Sequence, residues 1–178
     1  EVSARRFCHE LAIGAADLQV GGGETVVHLP AQPGRGGRCQ QFALAAAQSI
    51  AGHAEFIVLA AGTDGRDGDS EDAGAIVDGE TVQRAQDAGF DAAASLAAAD
   101  SAPALEAAGD LVYTGATGTN VGDIVLGLRL APAPPAGAYW RLSTIALLLS
   151  VAGVQRRCMY PLVGGVTAAA FPVGISIG

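Results

Sequence analysis

The sequence predicts one α/β domain, a short mixed or parallel sheet flanked by helices, with an irregular C-terminal tail. Three observations carry this reading. Short apolar runs of strand length alternate with alanine-rich stretches of helical spacing. The run Glu55 to Ala61 is continuously apolar after its first residue, as a buried parallel strand requires. Glycine-rich loops follow the strand-like runs. At 178 residues the chain is long enough for one domain with a real core. Half of it is apolar but only 5% is aromatic, so small-residue helices are expected to pack on strands bearing valine and leucine.

Taken in order, Val2 to Ile13 suits the last turns of a helix ending at Gly14, and residues 1–14 are read as the end of a helix from a longer chain. Asp17 to Val20 is a short strand with Gly21-Gly22-Gly23 at its end, and Glu24 leads into a second expected strand, Thr25 to Leu29, closed by Pro30. Gly34-Arg35-Gly36-Gly37-Arg38 then opens directly into a helix running through Ala47 to Ile50. After the strand at 55–61 comes an acidic loop. Ala73 to Val77 is a short apolar stretch. Thr81 to Ala88, Asp91 to Ala98 and Ser101 to Ala108 read as short helices, with Thr81, Asp91 and Ser101 as caps. Asp110 to Tyr113 and Gly122 to Leu130 return to strand. The domain proper is placed at residues 15–130.

Beyond Leu130 the character changes. All eighteen acidic residues lie at or before Asp123, and from Ile124 onward the only charges are four arginines. Residues 131–178 are therefore read as an apolar tail unrelated to the domain, translated in another frame or disordered. A membrane-associated segment is the alternative there, although Leu142 to Val154 runs only about half the length a spanning helix needs.

Charge and composition exclude several functions. A net charge of −8 argues against a nucleic-acid partner, which would need a basic face. All ten basic residues are arginine, so neither a Walker-type phosphate loop nor a lysine mechanism is complete here. Cys8, Cys39 and Cys158 are scattered and odd in number, which argues against a disulfide framework and a zinc site and makes cytoplasmic free thiols the expectation.

The chemistry is expected in the loops. At Gly34 to Arg38, glycines permit close backbone approach, the first amides of the following helix lack intrahelical partners, and two guanidinium groups fit phosphate or carboxylate. Gly36 and Gly37 would otherwise only make a tight turn between solvated arginines. Glu24, at a bend, would orient an arginine or bind a metal through water. Gly62 to Asp72 holds five acids within nine residues, out of register with an EF-hand; Asp64 and Asp67, nearest the strand end, are the candidates for a looser magnesium site, the remaining acids being read as a solvated loop. Thr114 to Asn120 is a glycine and hydroxyl loop suited to an anion or a sugar-acid hydroxyl. In a parallel sheet the loops at Gly21, Thr63 and Thr114 would share one edge and form a site.

These words, in this order, resemble the MOFRL family, a C-terminal domain of glycerate 2-kinases also named hydroxypyruvate reductases. The matching stretches are Gly22 to Thr25, Gly34 to Arg38 with Gln40 and Phe42 to Leu44, Gly62 to Gly65 with Asp67 and Gly68, Ala73 to Gly79, Asp100 with Ser101, and Thr114 to Val121 with Asp123. The family usually has serine where Gly21 stands, asparagine at Cys39, glutamate at Gln41 and proline at Asp69 and Ala116. The resemblance implies a two-domain enzyme whose larger N-terminal domain carries a lysine implicated in catalysis, with glycerate and ATP in the cleft between them. It implies transfer of the γ-phosphoryl group to the 2-hydroxyl of D-glycerate, with magnesium. On that reading Arg38 is the catalytic stabiliser of the transferred group, and Arg35 binds substrate carboxylate or phosphate. Gly22, Gly23, Glu24, Gly36, Gly37, Thr63, Thr117, Gly118, Thr119 and Asn120 line the substrate and phosphate side, Glu24 holding an arginine in place. Asp64 and Asp67 are the candidate metal ligands.

The chain alone, lacking the partner domain, is expected to be inactive. A binding module for small anions without turnover is the second reading. An oxidoreductase is the third, disfavoured because no strand leads into a Gly-x-Gly-x-x-Gly fingerprint.

Overall fold

The computed structural model describes residues 1–130 and the backbone of Gln155–Arg156. The elements are α1 (Val2–Ile13), β1 (Leu18–Gly23), α2 (Arg38–Ser49), β2 (Phe56–Gly62), β3 (Gly74–Asp78), α3 (Thr81–Asp87), α4 (Ala92–Ala97), α5 (Ser101–Ala108), β4 (Leu111–Tyr113), β5 (Asp123–Arg129) and β6 (Gln155–Arg156). The expected α/β domain is present. The expected unrelated tail at 131–178, and its alternative, a membrane-associated segment at Leu142 to Val154, lie outside the described residues apart from the backbone of Gln155–Arg156; among those described, no helix is long and apolar enough to cross a membrane.

The sheet has the order β1-β5-β2-β3-β4-β6, and every neighbouring pair is antiparallel. The parallel pairing expected from the apolar run of β2 is thus corrected. Alternate residues of that run serve two clusters. Phe56, Val58 and Ala60 join Ala75 and Val77 in the core shared with the helices. Leu59 and Ala61 join Ile76 and Val112 in a second cluster. An antiparallel strand whose two faces both meet apolar side chains has the same continuous pattern as a parallel one.

The core is built around α2. Cys39, Gln40 and Phe42 through Ala47 are all buried, because α2 contacts β2 and β3 as well as α1, α4 and α5. Alanine suits this position, since it lets backbones approach from several sides without leaving voids. α1 places Ala4, Cys8 and Leu11 on one face, and Phe7 meets Phe42 edge to face with ring centroids 6.0 Å apart.

Three local readings are corrected. Gly21 to Gly23 are not a loop but the end of β1, paired with Val125, Ile124 and Asp123 of β5. Thr25 to Leu29 is not a strand: the chain leaves the sheet there, and Val26 and Leu29 are exposed. Asp91 caps α4 through the Ala94 amide at 2.7 Å as expected, but Thr81 and Ser101 are the first helical residues and not caps. Thr81 instead accepts from the Asp78 amide and donates to Asp110 at 2.6 Å.

The antiparallel ladder still gathers the loops. Gly23 and Gly62 both stand opposite Asp123 in the register, so β1 and β2 run the same way with β5 between them. β4 runs that way too, being antiparallel to β3. The chain therefore leaves β1, β2 and β4 at one end of the sheet, where β5 begins.

Candidate anion-binding site

At that end of the sheet Arg38 meets two carboxylates. Its Nε donates to Asp123 Oδ2 at 2.5 Å and its Nη2 to Asp123 Oδ1 at 2.9 Å, a two-pronged pair. Glu24 Oε1 lies 3.6 Å from Nη2. Asp123 is 6% exposed, while the Arg38 side chain remains 40% exposed. Hydrogen bonding to Asp123 holds the Arg38 pKa above its ordinary value. Among the described residues Nη1 has no hydrogen-bond partner, so this nitrogen of the guanidinium is left for a ligand.

The backbone beneath Arg38 is fixed by a different carboxylate. Asp67, 2% exposed, accepts from the Cys39 amide at 3.0 Å and from the Gln40 amide at 2.7 Å. It is an N-terminal cap for α2 supplied from another loop. Burial raises the Asp67 pKa, and the two amides work against that rise. A Cβ on Gly37 would stand 2.2 Å from Asp67 Cγ, so only glycine admits this carboxylate. Gly36 adopts φ +148° in the same turn. Asp67, read from the sequence as a metal ligand, thus directs its oxygens at α2. The helix amides read as an anion cradle are likewise engaged by the protein's own carboxylate.

Arg35 lies nearby but pairs elsewhere. Its Nη2 donates to Glu106 on α5, and its amide to Asp100 Oδ1 at 2.7 Å. Both partners of the Arg35–Glu106 pair are about half exposed, which leaves the pair weak and open to exchange for a ligand. Thr63, Asp64, Thr117 and Asn120 form a neighbouring cluster. Thr117 donates to the Thr63 carbonyl, Asn120 Nδ2 to Asp64 Oδ2 at 3.3 Å, and Thr63 Oγ1 to the Gly122 carbonyl at 2.7 Å. Asp64 Oδ1 accepts from the Arg66 amide at 3.0 Å. Gly118, at φ +76°, and Thr119 complete this loop. Among the described residues no group of three His, Cys, Asp or Glu is arranged to hold a metal ion. Asp64 with phosphate oxygens and water is a donor set of the kind magnesium accepts.

A cavity of about 800 Å³ opens beside the turn, lined by Arg35, Gly36, Gly37, Arg38, Gln41 and Tyr113 among others. Its size suits a small-molecule ligand. A second cavity of about 320 Å³, touching Gly22, Gly23, Glu24, Cys39 and Asp123, lies under α1. Gln41, where the family usually has glutamate, donates to the Leu96 carbonyl at 2.6 Å.

The structure thus joins Glu24 to Arg38, and Thr63 and Asp64 to Thr117 and Asn120; Asp67 lies beneath Arg38 but is spent on the α2 amides, and Arg35 lines the same cavity as Arg38 but is paired with Glu106. Sequence reading missed Asp123 as the main partner of Arg38. No local pattern signals that role, because the two residues lie 85 positions apart in the chain.

Known proteins share this arrangement of chain. The MOFRL family model matches residues 18–123. The D-glycerate 2-kinase of Thermotoga maritima is 48% identical over 107 residues, covering 60% of this chain and 25% of that enzyme. An Agrobacterium vitis protein carrying the name hydroxypyruvate reductase is 44% identical over 115 residues, covering 64% of this chain and 26% of its own length. The crystal structure of glycerate kinase from Thermotoga maritima superposes with a TM-score of 0.67 at 39% identity, covering 72% of this chain and 33% of that one. The chain spans about a quarter of the length of these curated relatives.

Proposed function

The chain belongs to the MOFRL family, and from this premise we propose that it is the C-terminal, substrate-side part of a cytoplasmic glycerate 2-kinase. The full enzyme would transfer the γ-phosphoryl group of ATP to the 2-hydroxyl of D-glycerate. The observation that carries this is Arg38, a guanidinium fixed along one edge by Asp123 and flanked by Glu24, with Nη1 unpartnered among the described residues. Phosphoryl transfer is chiefly positioning and charge neutralisation, and a preset planar donor answers both needs. Arg38 would contact the transferred group. Arg35, released from Glu106, would bind a carboxylate or phosphate, and the Thr117–Asn120 loop would face the hydroxyls of the sugar acid. ATP with magnesium would supply the phosphoryl group and part of the charge neutralisation, with Asp64 as the residue on this chain that would hold the ion. An oxidoreductase reading has only the names of relatives behind it, and no dinucleotide fingerprint stands on a strand among the described residues.

Two preparations test the proposal. The 178-residue chain alone should phosphorylate no glycerate. A chimera in which residues 18–130 replace the matching segment of the Thermotoga maritima enzyme should form 2-phosphoglycerate from ATP and D-glycerate, followed by phosphorus NMR. A folded chimera without product would sink the reading.

A further inference from the structure

We propose that Asp123 is a positioning residue that sets the orientation of Arg38 toward an anion; the proposal rests on the role assigned to Arg38 above. Both ends of the Arg38 side chain are anchored, and to different elements. Its backbone starts α2, whose next two amides are held by Asp67. Its guanidinium is gripped through Nε and Nη2 by both oxygens of Asp123, which removes rotation about the last side-chain bonds. Asp123 is itself immobilised, opposite Gly23 on one side and Gly62 on the other in the ladder.

A plain structural ion pair would look different. Arg84 uses Nε, Nη1 and Nη2 on protein acceptors, whereas Arg38 keeps Nη1 unpartnered among the described residues and lines the larger cavity. Two effects of Asp123 on an incoming anion oppose each other. Its charge repels the anion, so neutralising it would raise affinity. Its grip presents the donors ready-oriented, so loosening it would lower affinity. The sign of the change on Asp123→Asn therefore separates positioning from electrostatics alone.

The test uses the 178-residue chain labelled with nitrogen-15, observed at the arginine Nε–H signals and titrated with inorganic pyrophosphate. Before any addition, the Arg38 Nε–H should exchange with water about tenfold more slowly than that of Arg66, as a charge-assisted hydrogen bond implies. The Arg38 signal should then move saturably. Asp123→Asn should weaken pyrophosphate binding about tenfold, the scale of one such bond, at an unchanged melting temperature, and Asp123→Glu should recover part of the loss. Arg38→Ala should abolish binding. If Arg38→Ala binds like the wild type, or the wild type does not bind, the anion reading itself fails and the proposal with it. If Arg38→Ala loses binding while Asp123→Asn binds equally or more tightly, the proposal alone is overturned. Should Asp123→Asn fail to fold, the wild-type exchange rate still decides: an Arg38 Nε–H exchanging as fast as Arg66 overturns it.

Discussion

Among the described residues two arginines pair with buried aspartates, and they are built for opposite ends. Arg84 on α3 donates through Nε to the Ala108 carbonyl at 3.0 Å, through Nη1 to Asp78 at 3.0 Å, and through Nη2 to Asp110 at 2.8 Å. Burial works against its charge, yet Asp110 and Asp78 outweigh that and hold its pKa above the ordinary value. Arg38 has one carboxylate along one edge and an unpartnered Nη1 among the described residues. A guanidinium whose nitrogens are all engaged locks α3 to the start of β4; one left half engaged at the mouth of a cavity is equipped to bind. The difference lies in how many donors are used, since both pairs are short and both involve a buried aspartate.

The largest stability effect should come from breaking the saturated cluster. Arg84→Ala takes the guanidinium from Asp110, which is 1% exposed, and should cost about 3–5 kcal/mol in urea unfolding; a loss below about 1 kcal/mol would mean the cluster is no lock. Next comes the cap beneath Arg38. Asp67→Ala should cost about 2 kcal/mol and speed hydrogen exchange at the Cys39 and Gln40 amides. If their exchange is unchanged, Asp67 does not fix α2.

Cys39 sharpens the contrast at high pH. Burial raises its thiol pKa first, then the charges of Asp67 and Asp123, while Arg38 pulls the other way and loses. The arginine, already matched by Asp123, does not activate the thiol. Cys39 should resist iodoacetamide at pH 8.5 in the folded chain and react on unfolding. The unfolded thiols release protons from their ordinary value of 9.0, before the folded ones do, so stability is full below that pH and falls above it. Cys8, pushed up to about 11 by burial, acts in the same direction between those values. The two together should weaken the fold by a few kcal/mol, since each tenfold gain in a thiol's proton affinity on folding is worth roughly 1.4 kcal/mol. Cys39→Ala and Cys8→Ala should each flatten the alkaline limb of the stability curve; an unaltered limb in both would contradict the assignment. Arg38→Ala should cost less than Arg84→Ala, about 1–3 kcal/mol in urea unfolding, because the Arg38 side chain is 40% exposed although its loss leaves Asp123, 6% exposed, without its guanidinium.

Much of the fold was legible because periodicity reports local structure: α2, α5 and β2 fall close to where spacing and glycines put them. Strand direction was not, since Phe56 to Gly62 shows apolar residues on both faces whichever way its neighbours run. The gathering of the Thr63 and Thr117 loops was expected from parallel strands; it arises instead because β1, β2 and β4 alternate with antiparallel partners. Within the site, Glu24 beside Arg38 was legible as a carboxylate next to a glycine bend. Asp67 and Asp123 were not legible in their roles. Each acts on residues 27 and 85 positions away, and no local pattern distinguishes a distant cap or clamp from one more acid in an acidic loop. Nor does the sequence show that Arg35 faces Glu106, because that contact depends on how the turn lies over α5.

The central claim is that Arg38, and not the saturated Arg84, serves the chemistry. Its most direct test is kcat for D-glycerate phosphorylation by the chimera carrying Arg38→Ala, measured beside its melting temperature. A fall of about 100-fold or more, the scale of a lost transition-state donor, in a chimera that is still folded at the assay temperature is the predicted result. An unchanged kcat in a folded chimera would contradict the account.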